Sequence, residues 1–194
     1  MPKGSETEQW PDDTASRLKA QLEHSRQVRW IKLCPGAYRE IAFEKLPNQK
    51  AYVEAMSKSG LSLLLHGPTG RGKTRCAWQI VKADVFGGRT IEVLDSTAGI
   101  KFAGEFKDGA DHVKRWMNRL IEAHTVLLDD VFKSKITEAF DAFLYAIIDQ
   151  RVSNERKIIC TCNDTGKTLV DRLSPDRAEP FIRRLREHCL AITF

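Results

Sequence analysis

Leu61-Ser-Leu-Leu-Leu-His-Gly-Pro-Thr-Gly-Arg-Gly-Lys-Thr74 runs an apolar strand pattern directly into the spacing Gly-x-x-x-x-Gly-Lys-Thr. That order is what a nucleoside-triphosphate phosphate cradle requires. Glycines at 67, 70 and 72 let the backbone turn tightly around an anion with its N–H groups pointing inward, and a helix starting near Gly72 adds the partial positive charge of its N-terminus. Lys73 then reaches the β- and γ-phosphates, and the Thr74 hydroxyl ligates Mg²⁺. The nucleotide-contacting stretch comprises Gly67, Pro68, Thr69, Gly70, Arg71, Gly72, Lys73, Thr74 and Arg75.

Outward from this stretch, strand and helix patterns alternate. Apolar runs at 61–65, 90–94, 125–128, 157–162 and 190–194 read as strands buried on both faces, which belong in one parallel sheet. Helical patterns fill the gaps at 72–85, 97–106, 111–123, 137–153 and 178–188, with Phe140, Phe143, Leu144, Ile147 and Ile148 as a core-facing stripe. The expected architecture is α/β, a five-stranded parallel sheet flanked by helices. The chain stops at the 190–194 strand, so no C-terminal lid domain is expected.

Before the cradle, residues 1–13 are polar and broken by Pro2, Gly4 and Pro11, and read as a disordered leader. From Thr14, a plausible N-cap, Ala15, Leu18, Leu22 and Val28 form a narrow apolar stripe on a helix that ends before Pro35-Gly36. Residues 14–45 are therefore expected to be an N-terminal helix and connector, suited either to docking a partner or to packing on the main domain. Residues 46–194 form the nucleotide-binding domain, opening with a short helix around Gln49–Ser57 closed by Gly60.

At 194 residues, 42% hydrophobic and 29% charged, the chain has the apolar content for a real core. No apolar run approaches the ~20 residues of a membrane helix, and the N-terminus lacks the apolar stretch of a signal peptide. A cytoplasmic protein without a membrane partner is expected. Five cysteines (34, 76, 160, 162, 189) contain no CxxC pair, which points to reduced structural thiols. A net charge of +5 fits contact with a polyanion.

Thr125-Val-Leu-Leu-Asp-Asp130 ends a buried strand with two carboxylates, 55 residues after the cradle. Phosphoryl-transfer ATPases need such a pair opposite the phosphates: Asp129 to hold the Mg²⁺ shell and Asp130 to orient or deprotonate the attacking water. Asn163, closing the 157–162 strand, reaches the γ-phosphate and the same water if its strand lies beside the first; otherwise Asn163-Asp164 is a turn.

Taken in order, Gly67–Thr74, Val126–Asp130, Thr161-Cys162-Asn163 and Phe181-Ile-Arg-Arg-Leu-Arg186 resemble the Walker A, Walker B, sensor-1 and arginine-finger segments of AAA+ ATPases. The double aspartate and short chain are similar to the helicase-loader branch, DnaC/IstB type, including the DnaC-like loaders of phages and prophages. The resemblance covers roughly residues 30–194. It implies ATP as the nucleotide, a catalytic set of Lys73, Asp130, Asn163 and Arg184, and Mg²⁺ held by Thr74 and Asp129. It also implies a homo-oligomer in which Arg184, or its neighbour Arg183, completes the next subunit's site. Many AAA+ enzymes carry Glu where Asp130 stands, and the region before the core is shorter than the helicase-binding domain of the best-known loaders.

The expected function is a helicase loader that binds a replicative helicase and helps place it on single-stranded DNA during DNA replication. Electrostatic DNA contact is expected from Lys101, Lys107, Lys114, Arg115 and Arg119, with Trp116 among them as core or base stacker. An IstB-like transposition helper uses the same core. A small P-loop kinase is a further alternative, and the Asp129-Asp130 strand end and Asn163 argue against it.

Overall fold

The computed structural model describes residues 12–107, 110–133, 136–163, 166–171 and 173–194. Its elements follow in the order α1 (Asp12–Leu33), α2 (Gly36–Arg39), a 3-10 turn (Phe43–Lys45), α3 (Gln49–Ser57), β1 (Leu63–His66), α4 (Lys73–Phe86), β2 (Ile91–Asp95), α5 (Ser96–Lys107), α6 (Asp111–Glu122), β3 (Thr125–Asp129), α7 (Glu138–Ser153), β4 (Lys157–Cys162), α8 (Gly166–Val170), α9 (Pro175–His188) and β5 (Leu190–Thr193). The expected leader lies outside the described residues as far as residue 11, and α1 begins at Asp12 rather than Thr14.

All five strands are parallel, in the order β2-β3-β4-β1-β5. Alternating side chains divide the core in two. Leu63, Leu65, Leu127 and Ile159 face α4, with Trp30 of α1 and Ala51 and Ala55 of α3 buried in the same cluster. Val126, Leu128, Ile158 and Cys160 face the opposite way, into a cluster shared with Phe140, Phe143, Leu144, Ile147 and Ile148 of α7 and Phe181 and Leu185 of α9. The parallel sheet is thus covered on both faces, as crossover connections require.

β5 departs from the expectation of a strand buried on both faces. It pairs only with β1, and of its four residues only Ile192 is buried; Leu190, Ala191 and Thr193 are exposed. An edge strand has a neighbour on one side only, so coverage there is partial. Within the N-terminal segment 14–45, the two halves of α1 differ in burial. Its stripe residues Leu18 and Leu22 are exposed, whereas Trp30 and Cys34 are buried, Trp30 edge-on to Trp78 of α4 at 6.1 Å. The second half of α1 therefore shares one core with residues 46–194.

Two buried polar anchors hold the layers in register. Asp84 of α4 accepts hydrogen bonds from Lys157 Nζ at 2.7 Å, Thr125 Oγ1 at 2.8 Å and Arg89 Nη1 at 2.6 Å, tying α4 to the starts of β3 and β4. Arg151, fully buried near the end of α7, donates to the carbonyls of Leu120, Ile121, Ala123, His124 and Lys157. These include carbonyls that the end of α6 leaves without intrahelical partners. All five cysteines are buried thiols, and burial pushes Cys34 up to about 11 and Cys76 and Cys189 up to about 12, which keeps them protonated and unreactive. Among the described residues no helix is long and apolar enough to cross a membrane.

Candidate nucleotide site

The strand order places β3, β4 and β1 side by side, so the segments that follow them converge at one end of the sheet. The loop after β1 bends through left-handed backbone at Gly67, Gly70 and Gly72, with φ of 134°, 80° and 95°. Gly67 N donates to Cys162 O at 3.2 Å, which ties the loop to the end of β4. Lys73 opens α4 almost wholly buried, and its Nζ donates to the carbonyls of Gly67 at 2.8 Å and Pro68 at 2.9 Å. Burial lowers the Lys73 pKa, while the charges of Asp130 and Asp129 pull it back up.

The carboxylates sit across from this loop. Thr74 Oγ1 donates to Asp129 Oδ1 at 3.0 Å, and Thr161 Oγ1 of β4 donates to the same oxygen at 2.7 Å. Burial raises the Asp129 pKa, and the two hydroxyl donors oppose that shift. Asp130 takes a left-handed conformation, φ 50°, unusual for a residue with a Cβ. Its N–H donates to Thr161 Oγ1 at 2.9 Å, and its Oδ1 accepts from Asn163 Nδ2 at 3.2 Å. The turn at Asp130 carries its carboxylate off the line of β3 and towards the end of β4.

A cleft of about 470 Å³ opens over these groups, lined by Thr69, Gly70, Gly72, Lys73, Thr74, Arg75, Asp130 and Asn163. Sequence reasoning missed three further lining residues from the connector, Tyr38, Lys45 and Pro47. No motif marks them; α2 and α3 both pack on α4, and the Tyr38 carbonyl accepts from Gln79 Nε2 at 3.0 Å, which brings the connector over the loop. Arg71 is exposed and does not line the cleft. A hydroxyl and a carboxylate, Thr74 and Asp129, form a hard oxygen donor pair adjacent to the glycine loop, and such donors suit Mg²⁺.

Arg184 lies elsewhere, on α9. Its Nη2 meets Asp149 Oδ1 of α7 at 2.6 Å and its guanidinium lies 5.1 Å from the centre of the Tyr145 ring. Arg183 is the more exposed of the two, its side chain 67% accessible, with Glu187 at 3.9 Å. On the same face of the sheet as α7 and α9, Phe102, His112, Arg115, Trp116, Asn118, Arg119 and Glu122 line a second cleft of about 620 Å³ at α5 and α6. Trp116 is half-buried there, stacked on Phe143 at 5.6 Å and tilted against Phe102 at 4.5 Å, so its role is packing with one rim at the cleft. Lys101 and Lys114 are exposed nearby; the Lys107 side chain is outside the described residues.

No protein-family model matches the chain, and no curated protein matches it. Solved structures do. The DnaC helicase loader superposes with a TM-score of 0.63 at 17% identity, over 86% of this chain and 98% of that one. DnaI gives 0.62 at 16% identity, over 74% and 85%. AMPPCP-bound DnaA from Aquifex aeolicus gives 0.62 at 18% identity over 82% of this chain, which spans only 50% of the DnaA chain. At these identities the likeness shows the fold alone, a five-stranded parallel α/β sheet with helices on both faces, which is the fold class that the order of motifs implied.

Proposed function

We propose that this chain is an ATP-hydrolysing AAA+ helicase loader of the DnaC type, which binds a replicative helicase and helps place it on single-stranded DNA. The observation that carries the reading is the convergence of Lys73, Thr74, Asp129, Asp130 and Asn163 around one cleft from three adjacent strand ends. The likeness to the DnaC loader over nearly the whole of that chain supports the loader role over the kinase alternative.

In this reading Lys73 Nζ exchanges the carbonyls of Gly67 and Pro68 for phosphate oxygens, and the loop amides and the start of α4 cradle the rest. Thr74 and Asp129 would hold Mg²⁺, which would supply neutralisation of phosphate charge. Asp130 accepts the proton of the attacking water or orients it, and Asn163, already hydrogen-bonded to the Asp130 carboxylate, positions the pair. Arg75 is the one arginine among the described residues that line the cleft, and in this reading Arg184 of a neighbouring copy supplies further charge to the transition state. Leaving Asp149 and Tyr145 for that purpose costs about 1–2 kcal/mol, since a partly exposed pair and a cation–π contact are each worth about 1 kcal/mol or less. An arginine finger contributes about 10³–10⁵ in kcat, roughly 4–7 kcal/mol, which outweighs it.

Single-stranded DNA binds through the exposed basic residues of α5 and α6, Lys101, Lys114, Arg115 and Arg119, of which Arg115 and Arg119 line the cleft beside Glu122. The exposed first half of α1, with Leu18 and Leu22 one turn apart, is the face that meets the helicase. A mixing assay tests the shared site. Arg184→Ala and Asp130→Asn are each expected to hydrolyse no ATP alone, and to recover activity when combined, because some interfaces then pair an intact carboxylate with an intact arginine. Arg183→Ala run in parallel assigns the finger. Absence of recovery in mixtures shown to co-assemble would refute a site completed in trans.

A further inference from the structure

We propose that Thr161 is a positioning residue that assigns the two adjacent aspartates their separate tasks; the proposal rests on the ATPase reading above. Its side chain is fully buried on β4, and its hydroxyl has one proton to give. That proton goes to Asp129 Oδ1 at 2.7 Å, while a lone pair accepts the Asp130 N–H at 2.9 Å. One buried hydroxyl thus fixes a side chain of one aspartate and the backbone of the next.

Both contacts have consequences. Asp129 Oδ1 receives Thr74 Oγ1 and Thr161 Oγ1 together, which pins the carboxylate at the end of β3 in one orientation. The Asp130 amide, held by Thr161, turns the backbone into its left-handed conformation and sends the Asp130 carboxylate to Asn163 instead of alongside Asp129. Without that hold, a non-glycine residue at φ 50° relaxes towards ordinary backbone, and the two carboxylates lose their division of labour. Neither contact is a general need of strand packing: Thr161 already pairs in register with Leu65 of β1 through its backbone.

Thr161→Val keeps the branched shape and removes both hydrogen bonds; Thr161→Ser keeps the hydroxyl. Loss of a group that orients metal-binding and catalytic carboxylates typically reduces affinity or activity by ~10–100-fold. Thr161→Val is expected to lower kcat at least tenfold, to leave AMPPCP affinity in EDTA within about threefold, and to abolish most of the increase in AMPPCP affinity that Mg²⁺ brings to the wild type. Thr161→Ser is expected to stay within about threefold of wild type in each measurement. If Thr161→Val does not fold, Thr161→Ala, which also removes both hydrogen bonds, carries the same comparison. A merely structural threonine would lower the melting temperature and leave both kcat and the Mg²⁺ increment intact, which overturns the proposal, as does an equal loss in Thr161→Ser and Thr161→Val. If the wild type binds AMPPCP with Mg²⁺ yet hydrolyses no ATP, the ATPase reading fails by itself, and the Mg²⁺ increment still decides on Thr161. If the wild type binds no nucleotide, both fall together.

Discussion

Gly67 and Gly70 look equivalent in the motif, yet the structure makes them very different positions for alanine. A Cβ on Gly67 would lie 2.3 Å from the Phe194 carbonyl oxygen and 3.3 Å from both its C and N atoms, at a backbone φ of +134°. Relief requires the end of β5 to retreat by roughly 1 Å, since ordinary C···O contact begins near ~3.3 Å. That retreat stretches Phe194 N→His66 O, now 2.8 Å, and loosens the loop at Gly67 N→Cys162 O. Backbone strain of about 1–3 kcal/mol, a lost hydrogen bond of about 1 kcal/mol and residual overlap of about 1–3 kcal/mol give roughly 3–5 kcal/mol after partial relaxation. At Gly70, φ is +80° and nothing lies within 4 Å, so alanine there carries only the left-handed penalty, about 1–2 kcal/mol. Urea unfolding of Gly67→Ala and Gly70→Ala beside wild type reads the difference directly. With m near ~2 kcal/mol/M, the expected gap of about 2–3 kcal/mol separates the two midpoints by roughly 1 M. Coincident midpoints for the two variants would refute the close-approach argument, and with it the docking of β5 against the loop.

Lys73→Ala should weaken ATP binding at least 100-fold, because the loop loses its buried point charge on the phosphates; isothermal titration with the non-hydrolysable analogue measures it, and unchanged affinity would remove the nucleotide-site assignment. Asp84→Asn should destabilise the fold by about 3–5 kcal/mol near neutral pH by leaving Lys157 buried without its counter-charge. Burial raises the Asp84 pKa, but the bonds from Lys157, Thr125 and Arg89 outweigh that and hold it below the ordinary carboxylate value. Its stabilisation is therefore complete above about pH 4 and lost as pH falls through the lower folded-state value, so the melting-temperature gap to wild type should hold at pH 7 and 5 and narrow near pH 3. DNA affinity should fall steeply with salt, and Lys114→Ala with Arg115→Ala should weaken it similarly on every sequence while reducing the slope of log K against log salt; fluorescence anisotropy over a salt series tests both, and strong sequence preference at fixed salt would contradict phosphate-led contact.

Much of the architecture was readable because it is encoded locally. Short continuous apolar runs marked all five strands to within a residue or two, and the helix from Glu138 to Ser153 showed its core face through Phe140, Phe143, Leu144, Ile147 and Ile148. The cradle was the plainest signal, since glycine spacing, a lysine and a threonine in eight residues reflect one short loop whose backbone must surround an anion. Asp129, Asp130 and Asn163 were legible for a related reason: polar residues at the ends of buried strands stand out against the apolar run before them.

What lay beyond reach depends on which distant segments meet. Asn163 joins the cleft because β4 lies between β3 and β1, and strand order is decided by the packing of crossover helices rather than by any run of residues. Tyr38, Lys45 and Pro47 line the cleft because the connector folds onto α4, although nothing in their own neighbourhood marks them for a ligand. Asp84 and Lys157, 73 residues apart, and Arg184 and Asp149, on two packed helices, are pairs whose members are ordinary charges until tertiary contact joins them. The N-terminal helix shows the difference most simply: its sequence stripe favoured Leu18 and Leu22, but Trp30 is the residue that α4 buries, because only the second half of α1 passes over the core. Periodicity tells which face of an element is apolar; where along the element that face finds a partner is settled by the rest of the chain.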